Sequence, residues 1–360
     1  MIRSLHVENI TVFPRADFTF SRGLNVITGA NGTGKSHILK LAYAILQAFT
    51  DEEARKNFGL SVSLGFQLMS KFRVTFIEDL MRLHAITPAK VRLTDTHDDD
   101  IEFQLHLPKD SSGMSGKTDD HEEMPRLDSI FHSIQQTEKS LFLPPKEILS
   151  VYRGFRSALK NRELAFDGTY LDLAEALDQA PFKEAKLKEI EHMYRPLEDI
   201  IHAKAFLQNY GEFAFAVADE HASSGVSTLP ADMFAEGHRK LGMLAYLIKN
   251  GSLAEGSTLF WDEPEANLNP LLIRQLADVL ATLSRDVQII IATHSLFLLR
   301  ELNILRILGY LTDTHYMGLY FTEDGVAVRQ GDAADDIGDI AALIASLDQS
   351  QRYMSATSRE

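Results

Sequence analysis

Near its amino terminus the chain reads Gly29-Ala30-Asn31-Gly32-Thr33-Gly34-Lys35-Ser36, which matches the pattern G-x-x-x-x-G-K-[ST] at every fixed position. The strand-like segment LNVIT precedes it at 24–28, and apolar residues at helical spacing follow it over 37–48. A phosphate-binding loop requires a strand, a glycine loop and a helix in this order, whereas a plain glycine turn does not need these neighbours. The sequence therefore predicts a nucleotide site in this part of the chain.

The residue types in this loop explain how it would hold a nucleotide. Its glycines let backbone N–H groups converge on a phosphate without Cβ clashes, and the helix N-terminus adds its dipole. Lys35 is expected to reach the β- and γ-phosphates, and the Ser36 hydroxyl is expected to bind Mg²⁺. The predicted nucleotide contacts in this segment are Gly29, Ala30, Asn31, Gly32, Thr33, Gly34, Lys35, Ser36 and His37.

Two acidic residues end a predicted buried strand far along the chain, in the sequence Leu259-Phe260-Trp261-Asp262-Glu263. Ligands bind at the carboxyl edge of such sheets, so both carboxylates are predicted to face the phosphate loop. Asp262 is the expected second Mg²⁺ ligand, through water. Glu263 is expected to orient or deprotonate the attacking water. A solvated strand end is the alternative interpretation, and the complete upstream loop motif favours the catalytic one.

The next predicted buried strand ends in Ala292-Thr293-His294-Ser295. A histidine at the end of a strand is more often structural, but the two neighbouring motifs favour a functional role here. His294 is therefore predicted to reach the γ-phosphate or the water beside it. Together with Glu263 and Lys35 it completes the predicted catalytic set.

The strands that carry these motifs lie toward the two ends of the chain. Apolar strands alternate there with amphipathic helices, which predicts an α/β fold with a parallel sheet covered on both faces. We assign residues 1–48 and 230–360 to a split nucleotide-binding core, and residues 49–229 to an inserted β-hairpin and helical lobe.

Three local patterns in the rest of the chain also give predictions. Residues 146–208 show a helical pattern with an interruption at FDGTY, and residues 108–125 have the polar composition of a surface loop. Residues 304–310, ILRILGY, read as a strand.

The composition restricts the classes of partner. The formal net charge is −15, and nonspecific DNA affinity comes from Lys and Arg contacts to phosphate, so bulk charge alone would not hold nucleic acid. The chain has no cysteine, which excludes disulfides, Cys-based zinc sites and iron–sulfur clusters and is compatible with a reducing cytosol. The first residues lack a signal-peptide pattern and no apolar run is long enough to span a membrane, so we expect a cytoplasmic protein without membrane contact.

Taken together, GANGTGKS, FWDEPEANLNP and ATHS resemble the ABC-type ATPase heads of the RecF, SMC and OLD kind. They look most like the single-gene AAA family ATPases, several of which belong to phage-defence or toxin-like systems. The resemblance covers the end segments closely and the middle loosely. It implies a P-loop NTPase fold of ABC type, ATP and Mg²⁺ as cofactors, and Mg-dependent hydrolysis between two facing heads. After the strand LFLPP, at the Q-loop position, the chain has Lys146 and Glu147 instead of a glutamine.

The resemblance also implies that each ATP touches the phosphate loop of one head and a signature segment of the other. The segment FAEGHRK at 234–240 occupies the signature position, which makes Gly237 a predicted contact for the partner's nucleotide. Ala235 stands where the family usually has a serine, which leaves backbone N–H groups and the helix N-terminus as donors. Asn269 falls at the D-loop position and is a further predicted nucleotide contact.

Three functional classes stay open. The protein could be a regulatory ATPase, a homodimer or higher oligomer, that controls a nuclease or toxin encoded nearby in an anti-phage defence complex. It could instead be a RecF-like DNA-repair ATPase that acts on DNA, or a nucleotide switch with negligible turnover. The net charge and the lack of coiled-coil heptads favour the first class over the second. A basic cluster offers a local site for nucleic acid, although such clusters are more often solvated helix faces. Its members are Lys146, Arg153, Arg156, Lys160 and Arg162.

Overall fold

The computed structural model describes residues 1–105, 129–134, 138–161, 164–209, 211–338 and 341–357. The predicted surface loop at 108–125 lies outside these residues. The strands are β1 (Ile2–Ile10), β2 (Phe13–Thr19), β3 (Leu24–Gly29), β4 (Ala89–Asp95), β5 (Asp100–Leu105), β6 (Ser129–His132), β7 (Ser140–Leu143), β8 (Ala203–Leu207), β9 (Phe213–Ala218), β10 (Val226–Pro230), β11 (Thr258–Asp262), β12 (Gln288–Thr293), β13 (Thr314–Thr322) and β14 (Gly325–Gly331).

The α-helices are α1 (Lys35–Thr50), α2 (Glu52–Phe58), α3 (Leu60–Phe72), α4 (Tyr152–Lys160), α5 (Gly168–Leu177), α6 (Glu184–Glu189), α7 (Glu191–Ile201), α8 (Glu236–Lys249), α9 (Pro270–Leu283), α10 (Leu296–Ile307) and α11 (Ala341–Thr357). Short 3-10 helices cover Ile77–Leu80, Leu149–Val151, Ala231–Met233 and Ala334–Ile337. Within the described residues, none of the helices is both long and apolar enough to cross a bilayer.

A six-stranded sheet carries the predicted motifs, and its strand order is β14-β13-β3-β12-β11-β7. The strands from β13 to β7 run parallel, and β14 pairs with β13 antiparallel. Every residue of β3, β11 and β12 is buried, which explains why these strands are so apolar. Because the three strands are parallel, the segments that follow them meet at one edge of the sheet.

Helix α1 packs between this sheet and a second, antiparallel sheet with the order β2-β1-β4-β5-β6. Leu5 of β1, Ile38 of α1 and Phe260 of β11 belong to one hydrophobic core. The Tyr43 ring of α1 lies 5.4 Å from the Phe142 ring and 5.8 Å from the Phe260 ring, measured between centroids. The two sheets therefore hold the helix that follows the phosphate loop from both sides.

A second core covers the opposite face of the six-stranded sheet. Trp261 of β11 and Ile291 of β12 point into this core, whereas their neighbours Phe260 and Ile290 point toward α1. Helices α5, α7, α8 and α9 contribute to the second core, together with β8 and β9 of a small antiparallel sheet ordered β10-β9-β8. This packing places α8 near the strand that leads to Asp262, a predicted metal ligand, and Glu263, the predicted catalytic base.

Sheet pairing crosses the predicted domain boundaries. The predicted hairpin of β4 and β5 is present, and β4 pairs with β1, with Leu93 opposite Leu5. Strand β7 pairs with β11 in the six-stranded sheet. Both sheets therefore combine strands from residues 49–229 with strands from the ends of the chain, and the division at residues 48 and 230 stays a prediction.

Two predictions of local structure were wrong. The helical pattern predicted to run to residue 208 ends at Ile201, because His202 adopts a left-handed conformation with φ of 51°, and residues 203–207 form β8 by pairing with β9. Residues 304–310 are not a strand: α10 continues to Ile307, and the chain then turns through Gly309 with φ of 78°.

Candidate nucleotide site

The loop from Gly29 to Ser36 follows β3 directly and leads into α1. Gly34 precedes α1 with φ of 86°, and a Cβ atom there would lie 2.7 Å from Cγ2 of Val12. Gly32 has φ of 82°, so it too lies in the left-handed region that favours glycine. Both glycines are therefore required by the path of the backbone.

The Lys35 ammonium lies inside the loop. Its Nζ donates hydrogen bonds to the carbonyl oxygens of Gly29 at 2.8 Å and Ala30 at 3.0 Å. Burial lowers the pKa of Lys35, and the carboxylates of Glu263, Asp262 and Glu265 oppose that shift. The three carboxylates therefore lie close enough to attract the ammonium, and loop and acidic pair share one site.

The two predicted magnesium ligands lie close together. The Ser36 hydroxyl lies near the Asp262 carboxylate, although the two residues belong to motifs far apart in the chain. Burial raises the pKa of Asp262, while the nearby Ser36 hydroxyl lowers it. A hydroxyl and a carboxylate are hard oxygen donors, which suit Mg²⁺. Within the described residues, His, Cys, Asp and Glu side chains form no cluster of three that could hold a metal ion, so remaining ligands would come from phosphate oxygens and water.

Glu263 has an unusual backbone and an accessible side chain. Its φ of 50° lies in the left-handed region, and its N–H donates to the carbonyl oxygen of Ala292 at 2.8 Å. Its Oε1 lies 3.2 Å from Nδ1 of His294, and both side chains are partly exposed to solvent. Glu263 and His294 thus face each other at the carboxyl edges of two adjacent strands.

A further carboxylate, which was not predicted from the sequence, is buried beside Glu263 and His294. Glu265 is buried, and its Oε1 accepts a hydrogen bond from Oγ1 of Thr293 at 2.6 Å. Its Oε1 lies 3.9 Å from Nδ1 of His294, and its Oε2 has no hydrogen-bond partner among the described residues. The signal was present in the third acid of the segment Asp262-Glu263-Pro264-Glu265.

The predicted signature segment contacts the turn that precedes the predicted D-loop residue Asn269. A Cβ atom on Gly237 would lie 2.6 Å from Cδ2 of Leu268, so α8 begins directly against the turn that follows β11. Asn267 donates through Nδ2 to Oε1 of Glu236 at 2.7 Å. Asn269 caps α9, because its Oδ1 accepts from a backbone N–H of the first turn. Contacts of Gly237 and Asn269 with a partner's nucleotide stay predictions.

The residues at the Q-loop position connect to α8. Glu147 is buried, and its carboxylate accepts hydrogen bonds from Leu149 N at 2.7 Å and Ser150 Oγ at 2.9 Å. Its Oε1 also lies 2.6 Å from Nε of Arg239 on α8. Glu147 therefore orders its own loop and pairs with the helix that starts at the signature segment.

His37 is placed differently from the rest of the loop. Its ring packs 5.6 Å from the ring of Phe72 on α3, and its Nδ1 is buried with no hydrogen-bond partner among the described residues. Burial lowers the pKa of His37, and the charge of Lys40 lowers it further. The side chain therefore packs against α3, and its backbone N–H is the group available for the predicted nucleotide contact.

The basic cluster does not form one described helix face. The backbone of α4 is non-helical at Arg153 and Gly154, and Arg153 pairs with Glu212 at 2.7 Å. Arg162 lies outside the described residues, as do the side chains of Arg156 and Lys160. The described part of the cluster thus gives no support for a nucleic-acid site.

Comparisons with known proteins extend these observations. The sequence model of a family described as "AAA domain, putative AbiEii toxin, Type IV TA system" matches residues 24–300. The DNA double-strand break repair Rad50 ATPase of Methanosarcina acetivorans is 33% identical to this chain over 81 residues. The Rad50 ATPase of Methanosarcina mazei is 43% identical to it over 42 residues. These alignments cover 19% and 12% of this chain but 7% and 4% of the relatives, so the chain spans a small fraction of their length.

Solved Smc heads have a similar fold. An Smc head bound to the C-winged helix domain of ScpA matches with a TM-score of 0.54 and 16% identity, over 92% of this chain and 98% of that one. An Smc head domain with an extended coiled coil, bound to the C-terminal domain of ScpA derived from Pyrococcus furiosus, matches with a TM-score of 0.51 and 15% identity, over 100% and 99%. At these identities the likeness shows the fold alone.

Proposed function

We propose a function from one premise: the chain belongs to the AAA-domain family whose sequence model it matches, and it has the fold of an ABC-type P-loop ATPase head. The family and the fold imply ATP hydrolysis. Our proposal is that this chain hydrolyses ATP, with Mg²⁺, at the site between residues 29–36 and 262–263. The proximity of Lys35 and Ser36 to Asp262 carries the proposal, because it brings the phosphate loop and the acidic strand end together at one site.

The proposed mechanism assigns one task to each residue. Lys35 and the backbone N–H groups of the loop bind the β- and γ-phosphates. Ser36 and Asp262 would hold Mg²⁺, which neutralises charge on the phosphates when bound. Glu263 orients the attacking water and takes its proton. His294, 3.2 Å from Glu263, binds the transferring γ-phosphoryl group from the other side of that water.

Dimerisation is part of the proposal. In a two-headed arrangement, the start of α8 in one head would contact the γ-phosphate bound in the other. The helix N-terminus at Glu236 and Gly237 supplies backbone N–H groups for that contact, since Ala235 has no hydroxyl. We expect ATP to favour the dimer and hydrolysis to depend on it, because the site of one head is incomplete without its partner.

For the biological role we propose a cytoplasmic regulatory ATPase that controls an effector, a nuclease or toxin, in an anti-phage defence complex. The family description, which names a toxin system, and the net charge of −15 support this role. The second candidate is a DNA-repair ATPase, which the short matches to Rad50 ATPases favour. A DNA-binding titration over a range of salt concentrations separates the two: tight, salt-dependent binding by the isolated protein would favour repair.

Two substitutions test the site. We expect Lys35→Ala to abolish ATP binding, and Glu263→Gln to keep ATP binding, lose turnover by about 100-fold or more and accumulate dimer. Lys204→Ala and Glu323→Gln are matched controls, because both residues are exposed and lie outside the site. Binding is measured by calorimetry, turnover by phosphate release and dimer by light scattering. Normal hydrolysis by Glu263→Gln would show that Glu263 is not the base.

A further inference from the structure

Lys240 is a buried lysine that the proposed mechanism does not use. It lies one turn into α8 and is 1% exposed. Its Nζ donates hydrogen bonds to the carbonyl oxygens of Glu263 at 3.2 Å and Ala266 at 3.1 Å. Burying an ammonium group is costly unless hydrogen-bond acceptors and opposite charges replace water, so its place in the core requires a reason.

The two carbonyl groups belong to the turn that carries the proposed catalytic base. Glu263 has the left-handed φ of 50°, which costs a non-glycine residue about 1 kcal/mol or more and persists only where the surroundings enforce it. Its N–H is held by the Ala292 carbonyl at 2.8 Å, and its own carbonyl accepts from Ala266 N at 3.0 Å as well as from Lys240. The backbone of Glu263 is therefore fixed by β12 on one side and by α8 on the other.

Three residues near the start of α8 contact the chain segment that follows β11. Glu236 accepts the hydrogen bond from Asn267, and Gly237 packs against Leu268. Lys240 comes one helical turn later and makes the connection to Glu263. A displacement of the start of α8 would therefore be transmitted to the backbone of the catalytic turn.

We infer that Lys240 is a positioning residue for ATP hydrolysis: it connects the signature end of α8 to the main chain of Glu263 and so aims the Glu263 carboxylate at the attacking water. The inference rests on the proposed function, in which Glu263 activates water. It adds that a partner head touching the start of α8 acts on Glu263 through the Lys240 ammonium.

The charges around Lys240 fit this role. The carboxylates that attract it are Glu265 and Glu263 on the turn after β11, Glu236 on α8 and Glu147 at the Q-loop position. Burial lowers the pKa of Lys240 to about 8 against this attraction. At pH 7 the Lys240 side chain is thus mainly an ammonium ion with three N–H donors. Two of these donors form hydrogen bonds with the carbonyl oxygens of Glu263 and Ala266.

The test compares two lysines of the same helix. Lys240→Met keeps the length of the side chain and removes the donors, and we expect kcat to fall about tenfold or more while KM and the Kd for Mg·ATP stay within about threefold. Lys249→Met is the control, because Lys249 lies at the far end of α8 and pairs with Glu198 at 2.9 Å. It should keep the wild-type kcat. Circular dichroism melts are used to check that both variants fold.

A chemical rescue separates positioning from packing. The chain has no cysteine, so Lys240→Cys introduces a single thiol. Unfolding, alkylation with 2-bromoethylamine and refolding give a side chain that matches lysine in length and carries an amine. We expect this protein to recover kcat to within about threefold of a wild-type sample taken through the same steps.

The inference is wrong if Lys240→Met keeps the wild-type kcat, or if it loses kcat and ATP affinity to the same extent. It is also wrong if Lys249→Met loses as much kcat as Lys240→Met, or if alkylated Lys240→Cys does not recover kcat. The proposed function fails by a different result, which is turnover by the wild-type chain no higher than that of Lys35→Ala.

Discussion

Raising the pH from 7 to 10 should stabilise the wild-type protein relative to Lys240→Met. The ordinary pKa of 10.5 applies to Lys240 in the unfolded chain, and burial lowers it to about 8 in the fold. Below pH 8 Lys240 is protonated in both the folded and the unfolded chain, so burying its charge lowers the free energy of unfolding by the full amount. Between pH 8 and 10.5 the unfolded state binds more protons than the folded state, so the free energy of unfolding rises with pH. At about 1.4 kcal/mol per pKa unit, the gain up to pH 10 is about 2–3 kcal/mol.

Urea unfolding followed by tryptophan fluorescence measures this gain, since the single tryptophan, Trp261, is fully buried in β11. The quantity of interest is the difference in unfolding free energy between wild type and Lys240→Met at each pH, because all other titrating groups are common to both. Leu83→Ala, an uncharged change at an exposed residue, should differ from wild type by a constant amount at every pH. A difference for Lys240→Met that is flat, or that falls with rising pH, would refute the reasoning.

Three further substitutions give distinct expected outcomes. Gly34→Ala forces a side chain into a left-handed backbone and against Val12, so we expect a loss of about 1–2 kcal/mol or more in urea unfolding and at least tenfold weaker ATP binding by calorimetry. Thr293→Val removes the 2.6 Å hydrogen bond to Glu265 and should cost about 1–3 kcal/mol, and it should lower kcat more than ATP affinity. Gln288→Leu breaks buried hydrogen bonds to β1 at the opposite edge of the sheet, so it should cost about 3 kcal/mol and leave ATP affinity unchanged. Equal ATP affinities for wild type and Gly34→Ala, or a loss of ATP affinity in Gln288→Leu, would contradict this account.

The sequence predicted the elements whose signals are local and strong. The glycine loop and the apolar strands β11 and β12 were predicted close to their observed positions, since each combines an apolar pattern with end signals. Strand β8 was missed because AKAFL has no clear alternation, and its strand geometry comes from pairing with β9. Residues 304–310 were misread because a short apolar run can continue a helix as well as form a strand.

The candidate site was also predicted only in part. The motifs pointed to Lys35, Ser36, Asp262 and Glu263, because phosphate and magnesium chemistry needs particular residue types at fixed positions within each motif. Lys240 was not predicted to have a role, since a lysine in an amphipathic helix is normally on its solvent face. Its importance depends on which face of α8 meets the turn after β11, and that is a property of tertiary packing.

Helix α1 is packed against other elements on most of its surface, which restricts its movement. Sheets lie against it on two opposite surfaces, and a rotation of only a few degrees would open empty space in a core that is packed as densely as a crystal. If a nucleotide binds at the phosphate loop, we therefore expect α1 to keep its position. We expect any nucleotide-dependent movement in elements with an end near the surface, such as α8, and not in the phosphate loop or α1.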